Sequence, residues 1–263
     1  MYTPLVENFC TIPKYPRTDF DAKAVADAEM FKIQYGDYSI LCYSWGSGRT
    51  ILLAHGWGSR ASHFAALTRI LSSAGFRIVA FDVPGHSSLN EVEGHKYSSM
   101  FEFYKTISTV AKNIAPVYAI IGHSLGAAAS VMAVRDYLDF CGYKIDVEKI
   151  VLISSPAGLE SIIASYCRAN NLSEADQAKL MLELTEEFNF KTEDCSIVAA
   201  IKNIRSKILL VHDYDDNEIP IRDAEALAGV SDNFKTCFTK GAGHFKILAN
   251  RKMISGVKDF LLK

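Results

Sequence analysis

Residues 117–127, VYAIIGHSLGA, constrain this chain more than any other segment. An apolar run of mostly β-branched or aromatic residues stops at Gly122, Ser124 follows between Gly122 and Gly126, and an alanine-rich stretch begins at once. Continuous apolar character over so few residues predicts a strand buried on both faces, which belongs in a parallel sheet covered by helices. The small residues around Ser124 then allow a reversal sharp enough to enter a helix, with the serine at strained dihedrals and its hydroxyl facing outward. Gly-x-Ser-x-Gly also arises by chance in ordinary loops. A place between a buried strand and a helix marks it instead as a nucleophile elbow.

A serine hydroxyl is a weak nucleophile at neutral pH, so it needs a base to take its proton and an acid to orient that base. In this kind of arrangement both are expected downstream, the acid before the histidine. Residues 207–220, KILLVHDYDDNEIP, run from an apolar strand into an acidic turn, and residues 240–246, KGAGHFK, put His244 in a glycine-loosened loop before a terminal helix. Three acids in four residues, Asp213, Asp215 and Asp216, also describe a plain solvated turn. A glycine-flanked histidine also describes a loop or helix cap.

With these segments the chain resembles the α/β-hydrolase family, in particular serine esterase and lipase-like members with a helical cap. The family's acid lies in a strand-end segment of the form His-Gly-x-x-Asp-x-x-Val-Pro. His212 and Asp213 take the first two places, Asp216 the acid's place, and Ile219 and Pro220 the last two. The resemblance therefore implies Asp216 as the acid, with Asp215 as its rival one residue away, while Asp213 departs from the usual glycine. Gly241 to His244 match the family's Gly-x-Gly-His and imply His244 as the base. The segment ILLAHGWGS at residues 51–59 matches the strand and turn that supply one backbone N–H of an oxyanion hole, and the residue after the nucleophile supplies the other. These are Trp57 and Leu125. The turn DVPGH at residues 82–86 fits the family's tight turn after a strand, here FRIVAF at 76–81. Asp82, His86 and His55 read as turn-stabilising groups, and His123 as scaffold beside the elbow.

The fold class expected is α/β, an α/β-hydrolase fold whose mostly parallel twisted sheet carries helices on both faces and a helical cap insertion. Residues 29–55 give three strand-like runs opening as a hairpin, followed by a helix over 59–74 that Gly75 stops. Helices over 98–114 and 124–141 then alternate with strands over 117–122 and 148–154. After Pro156 about 50 residues pass before the next strand, too many for a simple connection, and their pattern predicts three helices over 159–168, 173–188 and 194–204. A strand at 233–239 and a helix at 245–262 close the chain. The divisions are thus an N-terminal extension at 1–28 expected along the sheet's edge, a core at 29–156 and 205–263, and a cap at 157–204.

Composition narrows the rest. Of 263 residues, 49% are hydrophobic and 22% charged, as in a soluble globular protein, and no apolar stretch reaches membrane-spanning length. A net charge of −2 without a basic block argues against nucleic acid or an anionic surface as partner. The amino terminus lacks a signal-peptide pattern, so a cytoplasmic location is expected. Cysteines 10, 42, 141, 167, 195 and 237 are scattered without metal-ligand spacing, so neither a disulfide, a metal nor any other cofactor is expected. The function that the resemblance implies is hydrolysis of small or medium acyl esters through an acyl-enzyme, with a small-molecule acyl substrate as the partner. A thioesterase, an acyltransferase or a non-catalytic small-molecule receptor of the same fold are the alternatives.

Overall fold

The structure, a computed structural model, describes residues 2–86, 95–135, 142–230 and 234–263. Among these residues the strands are β1 (Glu29–Tyr35), β2 (Tyr38–Trp45), β3 (Arg49–Ala54), β4 (Phe76–Phe81), β5 (Ala119–His123), β6 (Lys149–Ile153), β7 (Lys207–Asp213) and β8 (Phe234–Thr239). They form one sheet in the order β1-β2-β4-β3-β5-β6-β7-β8. The β1–β2 hairpin is antiparallel, β2 also runs antiparallel to β4, and every other pairing is parallel. The register Ala54↔Gly122, His123↔Ile153 and Ile153↔Val211 brings the carboxyl ends of β3, β5, β6 and β7 to one edge. In open sheets with helices on both faces, that edge is where ligands bind.

Helices cover both faces because successive strand residues point to opposite sides. Leu52, Ile120, Ile150 and Leu210 join one apolar cluster with α4 (Met100–Ile114) and α5 (Leu125–Arg135). Ile51, Leu53, Ile121 and Val151 join a second with α3 (Ala65–Ser73) and α11 (Arg251–Leu262). Each fully buried aliphatic side chain contributes about 1.5–3 kcal/mol, so the two clusters dominate the folding energy. In α4 the buried residues Phe103, Ile107, Val110 and Ile114 repeat at helical spacing, and the Ser99 hydroxyl caps the first turn by accepting from Glu102 N.

The remaining helices are α1 (Pro4–Cys10), α2 (Asp19–Ala24), α6 (Leu159–Ala169), α7 (Glu174–Phe188), α8 (Ile197–Ile201), α9 (Ile221–Ala228) and α10 (Gly243–Lys246). Three of them, α6, α7 and α8, lie between β6 and β7, with a 3₁₀ turn at Thr192–Cys195 before α8. Ser173 and Asp176 cap α7 reciprocally, which fixes where it starts. The third expected helix, over 194–204, is reduced to that turn and the five residues of α8, because the Ser196 hydroxyl starts a new cap on Ala199 N. Residues 136–141 of the helix expected over 124–141, with Cys141, and residue 233 of the last strand lie outside the described residues.

Two further differences bear on the site. Helix α9, between β7 and β8, was not expected; its eight residues start directly after Pro220, too short a span for periodicity to register. The helix expected over 245–262 is broken, since Asn250 accepts from Met253 N and starts α11 afresh. His244 therefore sits in the separate turn of α10 and not in a loop.

Candidate active site

Ser124 has φ of 53°, in the left-handed region that non-glycine residues avoid at a cost of about 1–3 kcal/mol. The conformation is held from both sides: Ser124 N donates to Ile153 O of β6 at 2.9 Å, and Ala127 N donates to Ser124 O at 2.9 Å. The flanking glycines are required by close approach. A Cβ at Gly126 would strike the carbonyls of Ala54 and His55, and one at Gly122 would strike the backbone of Ala127. Strand, turn and helix can thus fold onto one another only with these residues. The loop that carries Trp57 is equally tight, because a Cβ at Gly56 would lie 2.9 Å from that of Ser124.

The three acids of the turn make three different sets of contacts. Asp213, fully buried, accepts from Thr239 Oγ1 at 2.6 Å, Ala242 N at 3.1 Å and Asp215 N at 3.0 Å. The residue that replaces the expected glycine therefore ties the end of β7 to the loop before His244. Asp215 accepts from Gly241 N at 2.9 Å and helps in the same clamp. Asp216 faces the imidazole, with Oδ2 at 2.8 Å from His244 Nδ1, while its Oδ1 accepts from Glu218 N at 3.0 Å and Ile219 N at 2.9 Å. Burial pushes the Asp216 carboxyl up, but the hydrogen bond and charge of His244 and the Ile219 amide outweigh it and hold the group below the usual carboxylate range.

His244 Nε2 lies 3.0 Å from Ser124 Oγ, and both His244 and Asp216 are buried to within 6% of full exclusion. Of the sequence-derived candidates, the structure brings Ser124, His244 and Asp216 together in one line and leaves Asp215 on the backbone of the neighbouring loop. Acceptance of Nδ1–H by Asp216 leaves Nε2 as the acceptor for the serine proton. His123 Nε2 donates to the His244 carbonyl at 2.9 Å, so this neighbour of the nucleophile fixes the backbone that carries the imidazole. Among the described residues no hydrogen bond engages the main-chain N–H of Trp57 or of Leu125, and the latter is the first N–H of α5, which has no partner within its helix.

The other conspicuous polar groups hold turns together. Asp82 accepts from Ala61 N at 2.7 Å and Tyr43 OH at 3.2 Å, and His55 accepts from Val83 N at 2.9 Å while donating to Gly56 O at 2.7 Å. Burial lowers the pKa of His55 to about 4, and of His86 and His123 to about 3. In the unfolded chain these imidazoles take up protons near 6.5, whereas the folded protein keeps them neutral. Stability is therefore unaffected by them above about pH 6.5 and falls as the pH drops toward 4, by about 1.4 kcal/mol per pH unit for each histidine. Urea titrations at pH 7.5 and 5 are expected to show a midpoint sharply lower at the acid value. Equal midpoints would contradict the burial of these groups as neutral imidazoles.

The site opens into a cavity of about 960 Å³. Its apolar walls include Trp57, Leu125, Leu159, Ile162 and Phe188, and also Phe9 from the N-terminal segment. Residues between 8 and 21 thus line the pocket, where a place along the sheet's edge was expected, while Val25 joins the cluster of Leu41, Tyr43 and Trp45 on β2. Thr3 Oγ1 donates to Glu183 of α7 at 2.6 Å and Phe9 packs edge-on to Tyr166 of α6 at 5.0 Å, which fastens α1 to the insertion. Asp21 of α2 accepts from Ser62 Oγ at 2.5 Å and lies 3.5 Å from Arg60 Nη1, which fastens the other end to the loop after β3. The reciprocal capping box of Thr18 and Asp21 was the available sequence signal for α2; the wall itself depends on contacts across the whole chain. Cys10, Cys42, Cys167 and Cys195 are buried free thiols, and burial raises Cys10 and Cys195 to about 12, which keeps them protonated. No helix among the described residues is long and apolar enough to cross a membrane.

Comparison with known proteins agrees with this architecture. A profile of the alpha/beta hydrolase family matches residues 51–252. The chain belongs to the alpha/beta hydrolase family. A serine hydrolase-like protein of Dictyostelium discoideum is 33% identical over 103 residues, a match spanning 36% of this chain and 28% of the relative. Among solved structures, a lipase candidate from Acinetobacter baumannii superposes with a TM-score of 0.69 at 16% identity, covering 95% of this chain and 97% of that one. The thioesterase domain from the curacin biosynthetic pathway gives 0.63 at 16% identity over 90% and 99%. A serine hydrolase from Cycloclasticus zankles gives 0.65 at 15% identity over 89% and 97%. At such identities these likenesses speak to the fold.

Proposed function

We propose that the protein is a serine hydrolase that cleaves carboxylic esters through an acyl-enzyme, with Ser124 as nucleophile, His244 as general base and acid, and Asp216 as the group that orients and stabilises the imidazole. The observation that carries this reading is the unbroken relay from Asp216 Oδ2 to His244 Nδ1 at 2.8 Å and from His244 Nε2 to Ser124 Oγ at 3.0 Å, seated on a strained elbow. His244 accepts the hydroxyl proton as Oγ attacks the ester carbonyl, and the N–H groups of Trp57 and Leu125 take the developing oxyanion. The same proton then passes to the departing alcohol. Water, deprotonated by His244, attacks the acyl-enzyme and frees the acid.

The pocket favours an acyl group at or above the upper end of the small-to-medium range that the resemblance implies. Its 960 Å³ sits near the upper end of ligand cavities, and aromatic and aliphatic side chains make most of its walls. Each added methylene that reaches those walls is worth up to about 0.8 kcal/mol, or roughly a fourfold gain. Over p-nitrophenyl esters from two to ten carbons, kcat/KM is expected to climb by about two- to fourfold per methylene up to at least eight. A profile that peaks at acetate would contradict the proposed use of the cavity, and no hydrolysis of any member would contradict the ester reading.

A further inference from the structure

We infer that Glu218 and Phe245 form a cation-recognising subsite on the leaving-group side of the reacting bond, so that the preferred substrate carries an ammonium on its alcohol portion; this rests on the ester-hydrolase reading for its catalytic meaning. Glu218 Oε2 lies 3.6 Å from His244 Nε2, the nitrogen that hands a proton to the departing alcohol. The carboxylate therefore borders the space through which the alcohol departs, at the part of the cavity nearest that nitrogen.

Its placement is held by the backbone on both sides. Glu218 N donates to Asp216 Oδ1 at 3.0 Å, and Glu218 O accepts from Ser165 Oγ at 2.8 Å and Arg168 Nη2 at 3.1 Å, both from α6. Arg168 is thereby bound to the main chain, and no lysine or arginine lies within ion-pair distance of the Glu218 carboxylate among the described residues. The cavity's other acid and base, Asp21 and Arg60, pair with each other at 3.5 Å, and the imidazoles of His63 and His123 have pKa values lowered by burial. Glu218 is thus the carboxylate lining the cavity that lacks a matching arginine or lysine, and half of its side chain is open to solvent.

A second observation points the same way. Phe245 leaves 54% of its surface exposed, unusual for a large apolar residue, and it stands edge-on to the His244 ring with centroids 5.1 Å apart. An exposed aromatic ring and a carboxylate without a lysine or arginine partner, both beside the His244 imidazole and both lining the same cavity, present the two features that bind ammonium groups: a π face and a negative charge. The same carboxylate repels polyanionic leaving groups, which sets this site apart from one built for phosphate-bearing thioester carriers.

Choline and 3,3-dimethylbutanol differ only in the charge of the quaternary atom and read the subsite with no turnover. By calorimetry the wild type is expected to bind choline at least about tenfold more tightly, and Glu218→Gln to bring the two within about twofold. Phe245→Ala is expected to reduce the preference about threefold. Equal binding in the wild type, or a preference undiminished in Glu218→Gln, would overturn the inference. Octanoyl esters of the two alcohols extend the comparison to catalysis, where the kcat/KM ratio is expected to follow the binding ratio and to shrink at high salt. A retained binding preference with neither ester cleaved would sustain the subsite and fail the hydrolase reading alone.

Discussion

Replacing Ser124 with alanine is expected to lower ester hydrolysis by at least about four orders of magnitude, while substrate binding changes little. The substitution removes Oγ, the atom 3.0 Å from His244 Nε2, and nothing nearby replaces it as a nucleophile. Thiols offer no substitute, since Cys10 and Cys195 are kept protonated by burial, and Cys42 is pushed still further up by burial and the nearby Asp82. Alanine also tolerates the left-handed backbone no worse than serine, so the fold should survive. Circular dichroism and steady-state kinetics on the same preparation check this. Residual activity within tenfold of the wild type would place the chemistry elsewhere.

The second large effect separates two neighbouring acids. Asp216→Asn is expected to reduce kcat by roughly 10⁴-fold, because an amide in that place can present its N–H₂ to Nδ1 and so hold the imidazole in the wrong tautomer. Asp215→Asn should cost less than about tenfold, since the amide oxygen can still accept from Gly241 N. The two residues are adjacent and equally charged, so their comparison cancels long-range electrostatics. If the Asp215 variant is the inactive one, the orientation of the acidic turn described above is wrong.

The elbow was legible in the sequence because its requirements are local. A buried strand, a reversal and a close helix need an apolar run and small residues in a fixed order, and the clashes expected of a Cβ at Gly122 or Gly126 are the physical content of that pattern. The parallel character of β4, β3, β5, β6 and β7 was legible for a similar reason, since strands buried on both faces read as continuous apolar runs, which half-exposed β8 does not. The acidic turn was only half legible. Asp213, Asp215 and Asp216 look alike in a string of letters, and only the loop from 239 to 242 shows two of them gripping backbone amides.

What stayed hidden depends on distance along the chain. The hydrogen bond from Thr3 to Glu183 joins residues 180 apart, so no window of sequence announces that α1 walls the pocket. Nothing in the sequence sets Glu218 apart from the other acids of its turn. Its position beside His244 arises from the clamp that Asp216, Ser165 and Arg168 place on its backbone. Helix α9 leaves little trace in the sequence because eight residues after a proline give barely two turns of periodicity.

The most direct test of the mechanism is to treat the wild-type protein with a fluorophosphonate and locate the adduct by peptide mass spectrometry. One phosphonyl group per chain, on the peptide holding Ser124, is the expected result, with labelling abolished in Asp216→Asn or His244→Ala. Modification of another residue, or none under conditions in which the protein cleaves esters, would contradict the proposal that Ser124, His244 and Asp216 act as one unit.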